Sequence, residues 1–140
     1  MGLIVVVAAA VGVWLAVNSS SPGEYPAPGP VTVQEAHELI RDHADDPDFV
    51  VLDVRTASEF RAGHLATGEA RILNVDIDSA SFRGRIDQLD RTDKYLVYCR
   101  TGNRSEVAVE YMQDAGFDGI YHMDRGIVPW EAAGLPLVAE

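Results

Sequence analysis

The sequence predicts an α/β fold: a mostly parallel central sheet flanked by helices on both faces. Three observations carry this. Short apolar, β-branched runs recur at 49–54, 72–77, 95–99 and 120–123. Segments of helical apolar spacing, two of them opened by capping signals, lie between the runs. Gly116 stands where a glycine ends a helix. Strands alternating with helices favour a parallel sheet, because each crossover lays a helix over it.

Composition bounds the function. The chain has 140 residues, 47% of them hydrophobic, which suits one compact domain. Lys plus Arg is 11 and Asp plus Glu is 22, a formal net charge of -11. General affinity for nucleic acid or an anionic membrane surface needs clustered positive charge, so both are disfavoured. The single Cys excludes an internal disulfide and any zinc site built on several thiolates. His37, His43, His64 and His122 show no metal-ligand spacing, so neither a metal nor another cofactor is expected.

In chain order, Leu3 to Val17 is an unbroken apolar run. As a helix it spans about 22 Å, short of the ~30 Å hydrocarbon core. Residues 1–17 are therefore expected to be a signal peptide or short membrane anchor, although a basic n-region is missing. A buried core helix is the alternative, disfavoured because no side of the run is polar. Residues 18–30 read as a Pro/Ser/Gly-rich linker, and 31–140 as the folded domain. A signal-like start places that domain outside the cytoplasm, anchored or secreted.

Within the domain, Thr32 and Glu35 form a T-x-x-E capping box, and Ala36, Leu39, Ile40 and His43 share a helical face. His37 and His43 are expected at the surface or its boundary. Residues 49–54 make a buried strand. Asp53 and Arg55 read better as a buried pair fixing the next turn than as active-site groups. Thr56 and Glu59 form a second capping box, which accounts for Glu59. His64 is expected to make a satisfied hydrogen bond beside a turn. Ile72 to Ile77 alternates as a strand, and 81–89 suits a helix. Val107, Ala108, Tyr111, Met112 and Ala115 form the apolar stripe of a further helix. Trp130 is expected in the core, with a partner for its indole N–H.

The chemistry concentrates where the strand ending at Cys99 meets the next helix: Cys99-Arg100-Thr101-Gly102-Asn103-Arg104-Ser105. A short glycine-containing loop here turns successive N–H groups inward, and the helix N-terminus adds partial positive charge. Arg100 and Arg104 add full charges. All of these favour a thiolate, so the Cys99 pKa is expected to fall. Ser105 is read as a cap for the helix, which begins at about Arg104 or Ser105. A thiolate in an anion cradle can take an electrophilic sulfur as a persulfide and hold it, in two half-reactions.

These residues resemble a known family, the single-domain rhodaneses, over about Val31 to Val138. Leu52 to Arg55, Glu59-Phe60, Gly63 to Leu65, Asn74-Val75, Tyr95 to Ser105, Gly116-Phe117, Gly126-Ile127, Trp130 and Ala133 to Pro136 carry the likeness by their order and spacing. The resemblance implies that Cys99 is the persulfide-forming nucleophile. The amides of residues 100–104 are then the cradle. Arg100, Thr101, Gly102, Asn103 and Arg104 bind the donor, with the two arginines receiving its charge. It implies a small anionic sulfur donor such as thiosulfate, and a thiol or cyanide acceptor. Two departures stand out. Ala66 to Leu73 is about four residues longer than the family pattern, which leaves substrate access open to change, and Arg125 replaces the first of two glycines.

Three other functions compete with this. A phosphatase or arsenate reductase needs one more residue between Cys and Arg, and Ser105 stands where that Arg belongs. A non-catalytic binding module on the same fold is the main alternative, against which the presence of Cys99 counts. A thiol redox cycle within the chain lacks a resolving cysteine. Oligomeric state is left open.

Overall fold

The computed structural model describes residues 23–140. Its elements are β1 (Gly29–Pro30), α1 (Val33–Asp42), β2 (Phe49–Asp53), α2 (Ala57–Ala62), β3 (His64–Leu65), β4 (Arg71–Asn74), α3 (Phe82–Asp87), β5 (Lys94–Tyr98), α4 (Asn103–Asp114), β6 (Ile120–His122), α5 (Ile127–Ala132) and β7 (Leu137–Val138). The 5-stranded sheet runs β1-β6-β5-β2-β4, and every pairing in it is parallel. β3 and β7 form a separate antiparallel pair.

Side chains alternate across each strand, so the sheet buries two cores. Phe49 and Val51 of β2, with Leu96 and Tyr98 of β5, pack against Leu39 and Ile40 of α1 and Trp130 of α5. Val50 and Leu52, with Tyr95, Val97 and Cys99, pack against Phe82 and Ile86 of α3 and Ala108 and Met112 of α4. The predicted α/β architecture, with helices over both faces, is the one observed. By parity Cys99 lies on the α3/α4 side, where α4 begins.

Both capping boxes form: Thr32 Oγ1 accepts from Glu35 N, and Thr56 Oγ1 from Glu59 N, while each glutamate accepts from its threonine's N–H. Other expectations need correction. No helix among the described residues is long and apolar enough to cross a membrane. The signal-peptide, membrane and transmembrane-helix reading thus lacks support from the described residues and does not stand; residues 1–17, on which it was placed, lie outside them. The described end of the 18–30 stretch is docked rather than a free linker. Tyr25 packs on the first core and donates to Asp46 at 2.8 Å, Tyr121 donates to Pro26 O, and Gly29–Pro30 adds a strand to the sheet's edge, where proline is tolerated.

His43 is buried and stacks on Tyr25, not at the surface. Val107 is 57% exposed: it adjoins Ala108 in sequence, and consecutive helical residues face different ways. The strand expected over 72–77 stops at Asn74, because Asp76 turns the chain by accepting from Asp78 N. The longer Ala66–Leu73 stretch includes a turn in which Thr67 Oγ1 donates to Ala70 O. It leads to Arg71, which pairs with Val50 and donates to Pro47 O. That places the Arg71 end of the stretch at the amino end of the strands, opposite Cys99.

Candidate active site

Cys99 follows the last residue of β5 at the sheet's carboxyl end, and its residue is 1% exposed. Ligands bind parallel α/β sheets at this end. The next helix, α4, begins at Asn103, with Gly102 at its N-cap. Gly102 N donates to Cys99 Sγ at 3.0 Å, and Ser105 Oγ lies 3.3 Å from the same sulfur. Ser105 is thus not the cap it was expected to be. It sits inside the first turn of α4, fully buried, with its hydroxyl aimed back at the sulfur.

A second loop holds the first in shape. Ile127 N donates to Cys99 O at 3.0 Å and Val128 N to Arg100 O at 3.3 Å, both from the start of α5. These bonds draw the carbonyls outward and leave the following N–H groups free to face the sulfur. Two glycines make the approach possible. Gly102 has φ 104, and a Cβ there would fall inside the Asp124 carbonyl. Gly126 has φ 72, and a Cβ there would meet the backbone of Arg100. Arg125 needs no such freedom, since every positive φ among the described residues belongs to a glycine. The missing first glycine therefore leaves the turn intact.

Burial pushes the Cys99 thiol up. The Ser105 hydroxyl and the N–H groups of Ser105, Gly102 and Thr101 pull it down by more, and the group ends below its ordinary value. The direction is the expected one. The leading causes are these hydrogen bonds, not the arginines.

Arg104 is spoken for. Its Nη1 and Nη2 each donate to a Glu59 carboxylate oxygen at 2.8 Å, a fork-to-fork pair between α4 and α2. This bond holds the Glu59 carboxyl down at about 2, against partial burial that works the other way, and raises the Arg104 guanidinium above its usual range. Glu59 therefore does more than cap its helix. Arg100 is exposed and joins no ion pair among the described residues. Thr101 and Asn103 are exposed, and Gly102 is buried. Thr101 also borders an open groove of about 930 Å³ shared with Glu35, Asp124, Arg125 and Val128. No cluster among the described residues could hold a metal ion.

Beneath the loop lies a buried pair. Arg55 Nε donates to both Asp53 oxygens at 3.0 Å, Nη2 to Asp53 Oδ2 at 2.6 Å, and Nη2 also to Gly63 O at 2.7 Å. Tyr98, the residue before Cys99, donates to Asp53 Oδ2 at 2.6 Å. Asp53 and Arg55 are the structural pair the sequence suggested. His64 stacks on Phe60, its Nδ1 lies 3.1 Å from Leu65 O, and its buried Nε2 has no hydrogen-bond partner, so its bonding is only half satisfied. Trp130 is fully buried and donates to Pro136 O.

Sequence reasoning missed His122. Its Nε2 lies 2.7 Å from Ser105 Oγ. The signal was present: Ile120 faces the second core, and a period of two puts His122 on the same side of the sheet as Cys99.

Fold and site together define a parallel α/β domain whose buried cysteine is cradled at a strand–helix junction. The chain belongs to the rhodanese-like domain family, which matches it over residues 32–133. It is 30% identical to the thiosulfate sulfurtransferase GlpE of Pseudoalteromonas translucida, over 74% of this chain and 89% of that protein. It is 36% identical to the tRNA uridine(34) hydroxylase of Pectobacterium atrosepticum over 67% of this chain, but spans only 28% of that protein's length. Among solved structures, a rhodanese-related protein from Thermoplasma volcanium aligns with a TM-score of 0.64 at 31% identity, over 79% of this chain and 98% of that one. The polysulfide-sulfur transferase of Wolinella succinogenes shares the fold, with a TM-score of 0.64 at 22% identity. At the level of class, the family supports a sulfurtransferase-like enzyme acting between a sulfur donor and an acceptor.

Proposed function

We propose that the protein is a sulfurtransferase that moves sulfane sulfur from an anionic donor such as thiosulfate to a thiophilic acceptor through a persulfide on Cys99. The Cys99 thiolate attacks the outer sulfur of the donor. A new S–S bond forms as the donor's own S–S bond breaks, and sulfite leaves with the electron pair. The acceptor, cyanide or a thiolate, then attacks the outer persulfide sulfur. The Cys99 S–S bond breaks, and its pair returns to the Cys99 thiolate. One observation carries the reading: a buried sulfur with a depressed pKa, met at 3.0 Å by the Gly102 N–H. The same inward-facing amides suit the anionic outer sulfur of a persulfide.

The hydroxylase relatives suggest RNA as an alternative setting. A chain of formal net charge -11 lacks the basic surface that RNA binding draws on, so sulfur transfer to a small or thiol acceptor is preferred.

The test is intact mass of the full chain after incubation with thiosulfate, beside Cys99→Ser. A gain of one sulfur on the wild type alone, discharged by cyanide or a thiol, is expected. No gain with Cys99 free and reduced would overturn the proposal and favour a non-catalytic binding module.

A further inference from the structure

Ser105 Oγ is shared among three partners: Cys99 Sγ at 3.3 Å, Gly102 O at 3.0 Å and His122 Nε2 at 2.7 Å. A serine hydroxyl has one proton to give. The shortest contact is to His122, so the state of Nε2 decides where that proton goes. If Nε2 is bare, it accepts the proton and the sulfur receives none. If Nε2 carries a hydrogen, it donates to Ser105 Oγ, and the hydroxyl proton goes to Gly102 O or to the sulfur, of which an ionised sulfur is the stronger acceptor.

We infer that His122 is a positioning residue for sulfur transfer: by donating from Nε2 it turns the Ser105 hydroxyl onto Cys99 Sγ, where the hydroxyl stabilises the thiolate as nucleophile and as leaving group. The inference rests on the proposed persulfide reaction. In the first half-reaction the hydroxyl favours the ionised sulfur. In the second, the electron pair of the breaking S–S bond falls on Cys99 Sγ, and the same hydrogen bond meets the returning charge. No proton leaves the Cys99–Ser105–His122 chain in either step.

The surroundings of His122 are consistent with a donor that is not permanently charged. Burial disfavours the imidazolium and sets the direction of its pKa downward, while Asp124 beside it and Glu106 on α4 oppose this. The neighbouring strand β1 (Gly29–Pro30) brings no titratable group, and β5 brings Val97 opposite it and Cys99 beyond. Near neutral pH the ring is then uncharged, and the inference requires the tautomer that carries its hydrogen at Nε2. Below the His122 pKa the imidazolium donates from the same atom.

Cys99 is the single cysteine, so ultraviolet thiolate absorbance against pH reads it directly. Ser105→Ala is expected to move the Cys99 midpoint up by about one pH unit, a tenfold loss of thiolate at fixed pH. His122→Leu should shift it in the same direction by a comparable amount. His122→Gln, whose amide can donate from a similar place, should recover most of the shift. The double variant Ser105→Ala/His122→Leu should be no worse than Ser105→Ala alone, because the histidine acts only through the serine. A wild-type midpoint in His122→Leu, equal shifts in His122→Leu and His122→Gln, or additive shifts in the double variant would each overturn the inference. If His122→Leu does not fold, His122→Asn replaces it, since its shorter amide fills the site without reaching Ser105. Persulfide formation is read separately by intact mass: a wild type that gains no sulfur sinks the reaction, whereas the thiolate titration alone decides the role of His122.

Discussion

Breaking the Asp53–Arg55 pair should come close to unfolding the domain. Arg55→Met removes the guanidinium that holds both Asp53 oxygens, while the Asp53 side chain is 0% exposed and has no route to water. Two contacts remain to it, the Tyr98 hydroxyl at 2.6 Å and the Arg55 N–H at 2.9 Å. They lessen the cost of the stranded charge without neutralising it. Removing one partner of a buried pair costs about 3–5 kcal/mol, against a total stability of about 5–15 kcal/mol for a domain. The expected fall in melting temperature is about 10–20 °C. Urea unfolding followed by far-ultraviolet circular dichroism measures it. The double variant Asp53→Asn/Arg55→Met removes the stranded charge and should be more stable than Arg55→Met alone. A loss under about 1 kcal/mol in Arg55→Met, or a double variant as unstable as the sum of the singles, would refute the reasoning.

Other predictions follow from the site. Glu59→Gln should lower stability by about 1 kcal/mol at neutral pH; the carboxyl shift alone implies more, but both side chains are partly exposed and solvent screens the pair. Because folding holds Glu59 down at about 2, its contribution is complete above about pH 4.5. It is lost as pH falls toward 2, so acid titration of stability in wild type and variant should converge there. Gly102→Ala should cost about 2–4 kcal/mol, since it adds a strained φ to a collision with the Asp124 carbonyl, and persulfide formation should fail with it. Arg100→Ala should lower kcat/KM for thiosulfate about tenfold, an effect that shrinks with added salt because the side chain is exposed. Unchanged thiosulfate kinetics in both Arg100→Ala and Arg104→Ala would remove the arginines from donor binding.

What could be seen in the sequence was local. The capping boxes at Thr32 and Thr56 each need only a neighbour three residues on, and both form. The strands β2 and β5 announce themselves as apolar runs because they are central and buried on both faces. The Cys99 junction is a contiguous motif. What was hidden depends on partners far along the chain. β1 is a Gly-Pro pair that becomes a strand only because β6 accepts it. β3 and β7 are two residues each and exist only through each other. In α5 the sequence Ile-Val-Pro-Trp argues against a helix, yet Pro129 falls in the first turn, where its missing N–H has no intrahelical partner to lose. Glu59 and Arg104 lie 45 residues apart, so a capping box was readable and its second use was not.

The same distinction explains why the cysteine loop works as it does. The motif supplies a small residue at Gly102 and a hydroxyl at Ser105, but the motif alone does not aim them. Aim comes from outside it. The α5 amides take the carbonyls of Cys99 and Arg100, Gly126 lets that second loop approach, Glu59 ties down Arg104, and His122 faces Ser105. Each of these groups spends its hydrogen bonds on the loop's back or flank, so the loop's remaining donors converge on one sulfur. The arginines then have separable parts. Arg104 is already neutralised by Glu59 and braces α4 against α2, while Arg100 is exposed and unpaired among the described residues. On a chain of net charge -11, Arg100 offers an approaching anionic donor a positive charge that no ion pair among the described residues compensates. On the proposed reaction, donor capture is expected to fall to Arg100 and sulfur ionisation to the backbone and Ser105. That division is why substitution at Arg100 should leave the Cys99 midpoint where it is while slowing the first half-reaction.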